Sequence, residues 1–245
     1  MHTNRRRTLI AAVLVLSAAV VAGAGYGLWY LFLRPAGPAA VTSGTLPPVA
    51  SNAADVPLAS GGLAGTWDVD TTIGSFSDFS DSWVGYRVQE TLASIGANTA
   101  VGRTPSVTGS LTLTGTQVTA GTITADLTAL QSDDSRRDAQ LSHSGLETST
   151  FPTATFTLTS PIDLGSDPTD GAEIDVTAHG TLQLHGVTRT VAVPLKARLA
   201  GSVIEVTGSL PITFSDYGIQ APTSFIALSV SDTGTMELQL FLRHA

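Results

Sequence analysis

The sequence predicts an all-β fold of about eight antiparallel strands, closed as an up-and-down barrel or folded as a sandwich, behind one apolar N-terminal segment. Three observations carry that expectation. Beyond residue 62 the chain is rich in Thr, Val, Ser and Gly and poor in strong helix formers. Apolar and polar residues alternate with period two in run after run, the signature of strands wetted on one side. Short Gly-containing breaks join many of the runs, and Ser132 to Leu146 interrupts the alternation.

The clearest pair of runs is a hairpin around His185-Gly186. Upstream, Ile174, Val176, Ala178, Gly180, Leu182 and Leu184 share one face; downstream, Val191, Val193, Leu195, Ala197 and Leu199 do the same. A two-residue turn sets Leu184 opposite Val187 and Leu182 opposite Arg189, which sends Arg189 toward the apolar side. Either a bulge or a longer turn returns it to solvent, or it points inward. An inward guanidinium is costly unless it meets a carboxylate or a polar headgroup.

The other elements follow in order. Leu63 to Asp70 reads as a first strand, with Trp67 and Val69 flanking Asp68, and Thr71 to Asp81 as a Ser/Asp/Gly-rich loop. Ser82 to Val88 alternates again. Val107 to Leu113 and Val118 to Leu127 form a hairpin around Gly115-Thr116, with Leu111, Leu113, Ile123, Ala125 and Leu127 inward. Ser132 is the expected N-cap of a short helix that ends near Gly145. A strand resumes through Ala154, Phe156 and Leu158, and Asp163 to Gly171 forms a loop. Val203 to Ile212 and Thr235 to Arg243 complete the set, on either side of a loop through Asp216-Tyr217-Gly218. The inward residues are mostly mid-sized aliphatics, which leaves room for a cavity, and a barrel of about eight strands can hold one small ligand.

Residues 8–33 contain no charge and are long enough to span a bilayer. Three arginines precede the run and one follows, so the positive-inside rule places residues 1–7 in the cytoplasm and the bulk of the chain outside. Ala22-Gly23-Ala24 also resembles a signal-peptidase site, but apolar sequence continuing through Leu33 favours a retained anchor. Residues 34–62, rich in Pro, Ala, Gly and Ser, read as a semi-extended tether to a domain at 63–245.

Of the 12 basic residues four flank the apolar run, while all 20 acidic residues lie beyond it, leaving the rest of the chain at about −12. Such a surface repels nucleic-acid phosphates and anionic lipid headgroups. With no cysteine there is neither disulfide nor thiolate chemistry. The five histidines, His2, His143, His179, His185 and His244, form no metal-binding motif, and no Gly-x-Ser-x-Gly elbow is present. The spacing of Asp163, Asp167 and Asp170 does not match a calcium loop. The expectation is a protein without catalytic or metal site. Arg136, Arg137 and Asp138 read as a salt-bridged helix surface or as guards of a barrel mouth.

Several separated motifs resemble the YceI-like family of lipocalin-like, polyisoprenoid-binding proteins. Trp67-Asp68-Val69-Asp70 is similar to its opening strand, and Ser82 to Val88 to its S-x-V-x-F-x-V run. Arg137-Asp138 with Leu141, Phe151-Pro152 with Phe156, the Gly180 to Thr188 hairpin and Asp216-Tyr217-Gly218-Ile219 follow in the family's order. Gln140 stands where the family often has His, and Leu146 where it often has Phe. Gly65-Thr66-Trp67 also resembles the G-x-W of true lipocalins, although a Trp plugging a barrel end is the simpler reading.

The resemblance implies a single antiparallel lipocalin-like barrel whose apolar bore takes an isoprenoid or quinone-like lipid. On that reading Val176, Leu182, Leu184, Val191, Val193, Leu195, Ile204, Val206, Leu238 and Leu240 line the bore, and Arg189, His185 and Arg137 are mouth or headgroup residues. The expected function is a membrane-tethered extracytoplasmic lipid-binding protein. The alternative is a cell-envelope interaction module with a filled barrel.

Overall fold

The computed structural model describes residues 38–41, 62–92, 96–166, 168–221 and 227–245. The basic tail, the expected span at 8–33 and most of the tether lie outside these residues. Among the described residues no helix is long and apolar enough to cross a membrane.

Alternation becomes sheet along the whole domain. The strands are β1 (Gly65–Val69), β2 (Trp83–Leu92), β3 (Gly96–Thr104), β4 (Val107–Thr114), β5 (Gln117–Asp126), β6 (Gln131–Ser132), β7 (Thr153–Leu158), β8 (Ile162–Asp163), β9 (Glu173–Leu184), β10 (Val187–Ala200), β11 (Val203–Thr213) and β12 (Ala227–His244). Every pairing between them is antiparallel. Hydrogen bonding runs β1-β4-β5-β7-β9-β10-β11-β12, and β12 returns to β1. That ring is a closed eight-strand barrel, one of the two architectures the alternation allows and the one the family resemblance implies. Closure rests on the 18-residue length of β12, which pairs with β1 at its end (Trp67 opposite His244) and with β2 along the rest. Strands β2, β3 and β6 extend the wall beyond the closed ring.

The β9–β10 hairpin has the expected register, with Leu184 opposite Val187 and Leu182 opposite Arg189. His185 and Gly186 both take positive φ, 51° and 74°, as a two-residue type I′ turn requires. No register shift interrupts the pairing. The bulge that would return Arg189 to solvent is therefore absent.

Two expectations need correction. Strand β3 was not anticipated, because Gly-Ala-Asn-Thr-Ala-Val-Gly-Arg-Thr carries no alternation. The short helix α1 (Ser135–Gln140) is capped by Asp134 rather than Ser132. The Asp134 carboxylate accepts the Arg136 amide at 2.9 Å, whereas Ser132 belongs to β6 and donates its own amide to Asp138 at 3.0 Å. A wider i→i+5 turn over Leu141–Gly145 continues α1, closed by the Leu146 amide on the Leu141 carbonyl at 2.7 Å.

The barrel is dry on both sides of one sector. Met236, Leu238, Leu240 and Leu242 of β12 face inward. On the opposite face Gln239 and Phe241 are buried beneath the segment 71–82, and Glu237 is buried beside Arg87 and Arg103. Ile73, Val203 and Phe241 make a small core there, outside the barrel.

Candidate binding cavity

The inner faces enclose two cavities of about 140 and 180 Å³. Val84, Ala154 and Met236 border both, so they are two lobes of one bore that meet at that level. The bore is therefore not filled by its own side chains.

Lobe one is apolar, with Arg198 as its only charged lining residue among those described. Of the residues expected there, Val176 and Leu182 come from β9, Val193 and Leu195 from β10, Ile204 and Val206 from β11, and Leu238 and Leu240 from β12. Strict alternation is what aims them all inward. Val191 shares that face but lines neither lobe. Its cross-strand partner is Gly180, and the Phe156 ring occupies the inner face there, 2.4 Å from where a Gly180 Cβ would stand. Trp67, fully buried, packs with Leu113, Leu240 and Leu242, and its indole N–H donates to the Leu63 carbonyl at 2.9 Å. Leu63 in turn lines lobe one.

Lobe two combines residues of the expected runs with others that alternation does not reveal. Val88 of β2, Leu127, Leu184 and Ile212 belong to the expected runs; Leu92 of β2, Ala100 of β3, Leu130, Leu141 and Phe214 do not. The signal was present in β2, where Val84, Tyr86, Val88, Glu90 and Leu92 keep period two, but the acidic Glu90 ended the apolar run. Glu90 is buried and accepts from Arg137 at 2.8 Å and Asn98 at 2.6 Å. Arg137 also meets Asp133 at 2.5 Å, so it is both ion-paired and part of the lobe wall. The Tyr86 hydroxyl is buried without a hydrogen-bond partner, and burial pushes its pKa up. Gly102 makes room for that ring, since a Cβ there would lie 2.4 Å from it. Gln140 and Leu146, the two departures from the family pattern, both line this lobe.

His185 and Arg189 line neither lobe. His185 ties the turn to its surroundings: Nδ1 lies 3.1 Å from the Tyr217 carbonyl, Nε2 lies 3.0 Å from Glu147, and its ring packs on Phe151. Arg189 keeps its inward register but lies at the rim, half exposed, where it donates to the Asp216 carbonyl at 2.9 Å. Neither sequence reading of Arg189 holds in full, because the strand end lets an inward position reach solvent and a carboxylate together. Among the described residues no cluster of His, Asp and Glu could hold a metal ion.

A closed antiparallel barrel with an apolar, partly empty bore defines a small class of folds. The YceI-like domain matches residues 67–242, most of the chain, and the protein belongs to that family. The fold is similar to that of a polyisoprenoid-binding domain from Saccharophagus degradans, described as implicated in plant cell wall breakdown, with a TM-score of 0.57 and 19% identity over 74% of this chain and 99% of that one. BcnA of Burkholderia cenocepacia is also similar (TM-score 0.49, 19% identity, 64% and 95% covered), as is the Campylobacter jejuni YceI protein (0.47, 16%, 59% and 84%). A search of curated proteins gives no match.

Proposed function

We propose that the protein is a membrane-tethered, extracytoplasmic binding protein, not an enzyme, that holds an isoprenoid or similar long-chain lipid in its bore without any resident cofactor. The observation that carries this reading is an apolar bore left open in two lobes, with polar groups gathered at one of them. Family membership and the polyisoprenoid-binding description of the Saccharophagus domain support it. The uncharged run at 8–33 with its arginine flank supports the tether.

Each lobe is about the size of a cavity that accepts benzene, so the two as they stand accommodate on the order of two isoprene units. Burial at roughly 0.8 kcal/mol per CH₂ drives entry. The Tyr86 hydroxyl, dry and unpaired, costs about 1–3 kcal/mol that a headgroup acceptor would recover. A carbonyl or phosphate oxygen placed near Tyr86, Arg137 and Gln140 suits that end.

Lipid extraction and mass spectrometry of the protein purified from its membrane test the reading, with Ala154→Phe as the control that narrows the junction of the lobes. A polyprenyl lipid recovered with the wild type, and at least tenfold depleted in the variant, is expected. A barrel that is recovered empty and binds no added polyprenyl lipid overturns the proposal.

A further inference from the structure

The outer wall of β12, β2 and β3 carries a charged row that the bore does not use. Glu237, Gly85 and Arg103 lie side by side across the three strands, all on the outward face. Gly85 has no side chain, and the Arg103 stem passes over it: a Cβ there would lie 2.8 Å from Arg103 Cγ. The guanidinium thereby comes within 3.8 Å of Glu237, while Arg87 donates to the same carboxylate at 3.0 Å. Phe79 and Trp83 hold the Arg103 group at 4.4 and 3.7 Å from their ring centroids. Arg103 and Glu237 are only 3% and 2% exposed. Groups so dry need hydrogen-bond partners.

Part of that demand is met from the far end of the tether, although Arg103 Nε is left without a partner. Arg87 donates to the Pro38 carbonyl at 2.8 Å, Arg103 donates to the Ala39 carbonyl at 3.1 Å, and the Val41 amide donates to Glu237 at 3.3 Å. All three contacts use backbone groups of Pro38-Ala39-Ala40-Val41, so the wall reads the chain's backbone and not its side chains. The row sits 49 to 196 residues away in sequence, which makes these contacts tertiary and not local.

We propose that the Arg87–Arg103–Glu237 row is a docking site for the chain's own residues 38–41, and that it shortens the tether. Residues 34–62 then do not act as one free spacer. With 38–41 pinned, only Arg34 to Gly37 separate the end of the apolar run from the barrel wall. Four residues reach roughly 14 Å, against roughly 100 Å for the whole 34–62 stretch. The β12–β2–β3 wall is thus held beside the bilayer. This leash rests on the retained-anchor reading under the proposed function, whereas the docking itself does not.

The chain lacks cysteine, so labels can be placed cleanly. In full-length protein in nanodiscs, spin labels at Ala40→Cys and Gln89→Cys report docking, and a fluorophore at Gln89→Cys facing headgroup-quencher lipids reports proximity. A narrow short-distance peak and strong quenching are expected. Arg87→Met/Arg103→Met/Glu237→Met removes the polar row while filling its volume, a replacement that buried ion clusters often tolerate. It should abolish the short-distance peak, and Val41→Pro, which removes the amide donated to Glu237 without changing any barrel residue, should weaken it. A broad distance distribution in the wild type, or a peak unchanged in both variants, overturns the docking. A short peak without quenching overturns the leash alone. Intact mass then tells whether the anchor itself was removed, since a chain beginning near Gly25 places the failure in the anchor reading.

Discussion

The two faces of β12 are equally dry and chemically opposite. Leu240 and Leu242 point into the bore at 4% and 0% exposure; Glu237, Gln239 and Phe241 point outward at 6% or less. The inner face needs only apolar neighbours of the right size, and a space remains between them. On the outer face each polar atom demands a partner. Gln239 donates to the Phe79 and Asp81 carbonyls at 3.0 and 2.8 Å, Ser82 receives the Phe241 amide at 2.9 Å, and Glu237 gathers two arginines. One strand therefore separates a non-directional interior, free to accept a ligand, from a directional one in which geometry is fixed.

Truncation on each face should expose that difference, and it carries the largest effects. Glu237→Ala leaves Arg103 buried without a carboxylate, at a cost of about 4 kcal/mol. Leu182→Ala, at 2% exposure on the inner face of β9, costs about 3 kcal/mol and widens lobe one. Urea denaturation gives both numbers, and lipid binding separates the variants. The Glu237 variant should bind polyprenyl lipid as the wild type does when folded, while the Leu182 variant should change its affinity. Equal effects on binding would dissolve the distinction between the two faces.

The same distinction explains which parts were legible in the sequence. Period-two alternation reports an apolar inner face, so β9, β10, β11 and the wall of lobe one could be read directly. A buried polar outer face has the same pattern as a wet one. Glu205 and Glu237 look like solvating residues in sequence, yet both are at most 2% exposed. Thr71 to Asp81 reads as a loop in the sequence and is one, but Ser- and Asp-rich composition hides its role as a cover whose Ile73 is fully buried. Its aromatic residues, Phe76, Phe79 and the following Trp83, were the available hint. The β3 side of lobe two is not legible, because Gly102 and Arg103 serve Tyr86 and Glu237 instead of an alternating pattern.

A middle-sized effect tests how dry the cover is. Asp81 is 4% exposed with Oδ1 unpaired, and burial pushes its carboxyl up to about 6 from an ordinary value near 3.8. The folded state holds this proton more tightly than the unfolded chain does. Stability from this group is therefore fully present below about pH 4 and declines as pH rises through about 6, by on the order of 2 kcal/mol. Burial shifts the Glu205 carboxyl in the same direction, so the comparison must be with a variant that keeps it. Asp81→Asn should flatten the wild-type slope between pH 4 and 7 in urea titrations. Parallel curves for the two proteins would show that water reaches Asp81 and that the cover is loose.

The smallest effect is expected at Arg189, where an inward register ends in solvent. Its guanidinium lies 3.8 Å from the Asp216 carboxylate, and both side chains are more than half exposed. Exposed pairs of this kind contribute within about 0.5 kcal/mol. Arg189→Leu should therefore leave the denaturation midpoint nearly unchanged. Because Arg189 borders neither lobe, lipid affinity and headgroup preference should also be unchanged. A shift in headgroup preference would mean that the bound lipid extends past Leu184 to the rim. The polar end of the site would then be the β9–β10 turn, not the wall formed by Tyr86 and Arg137.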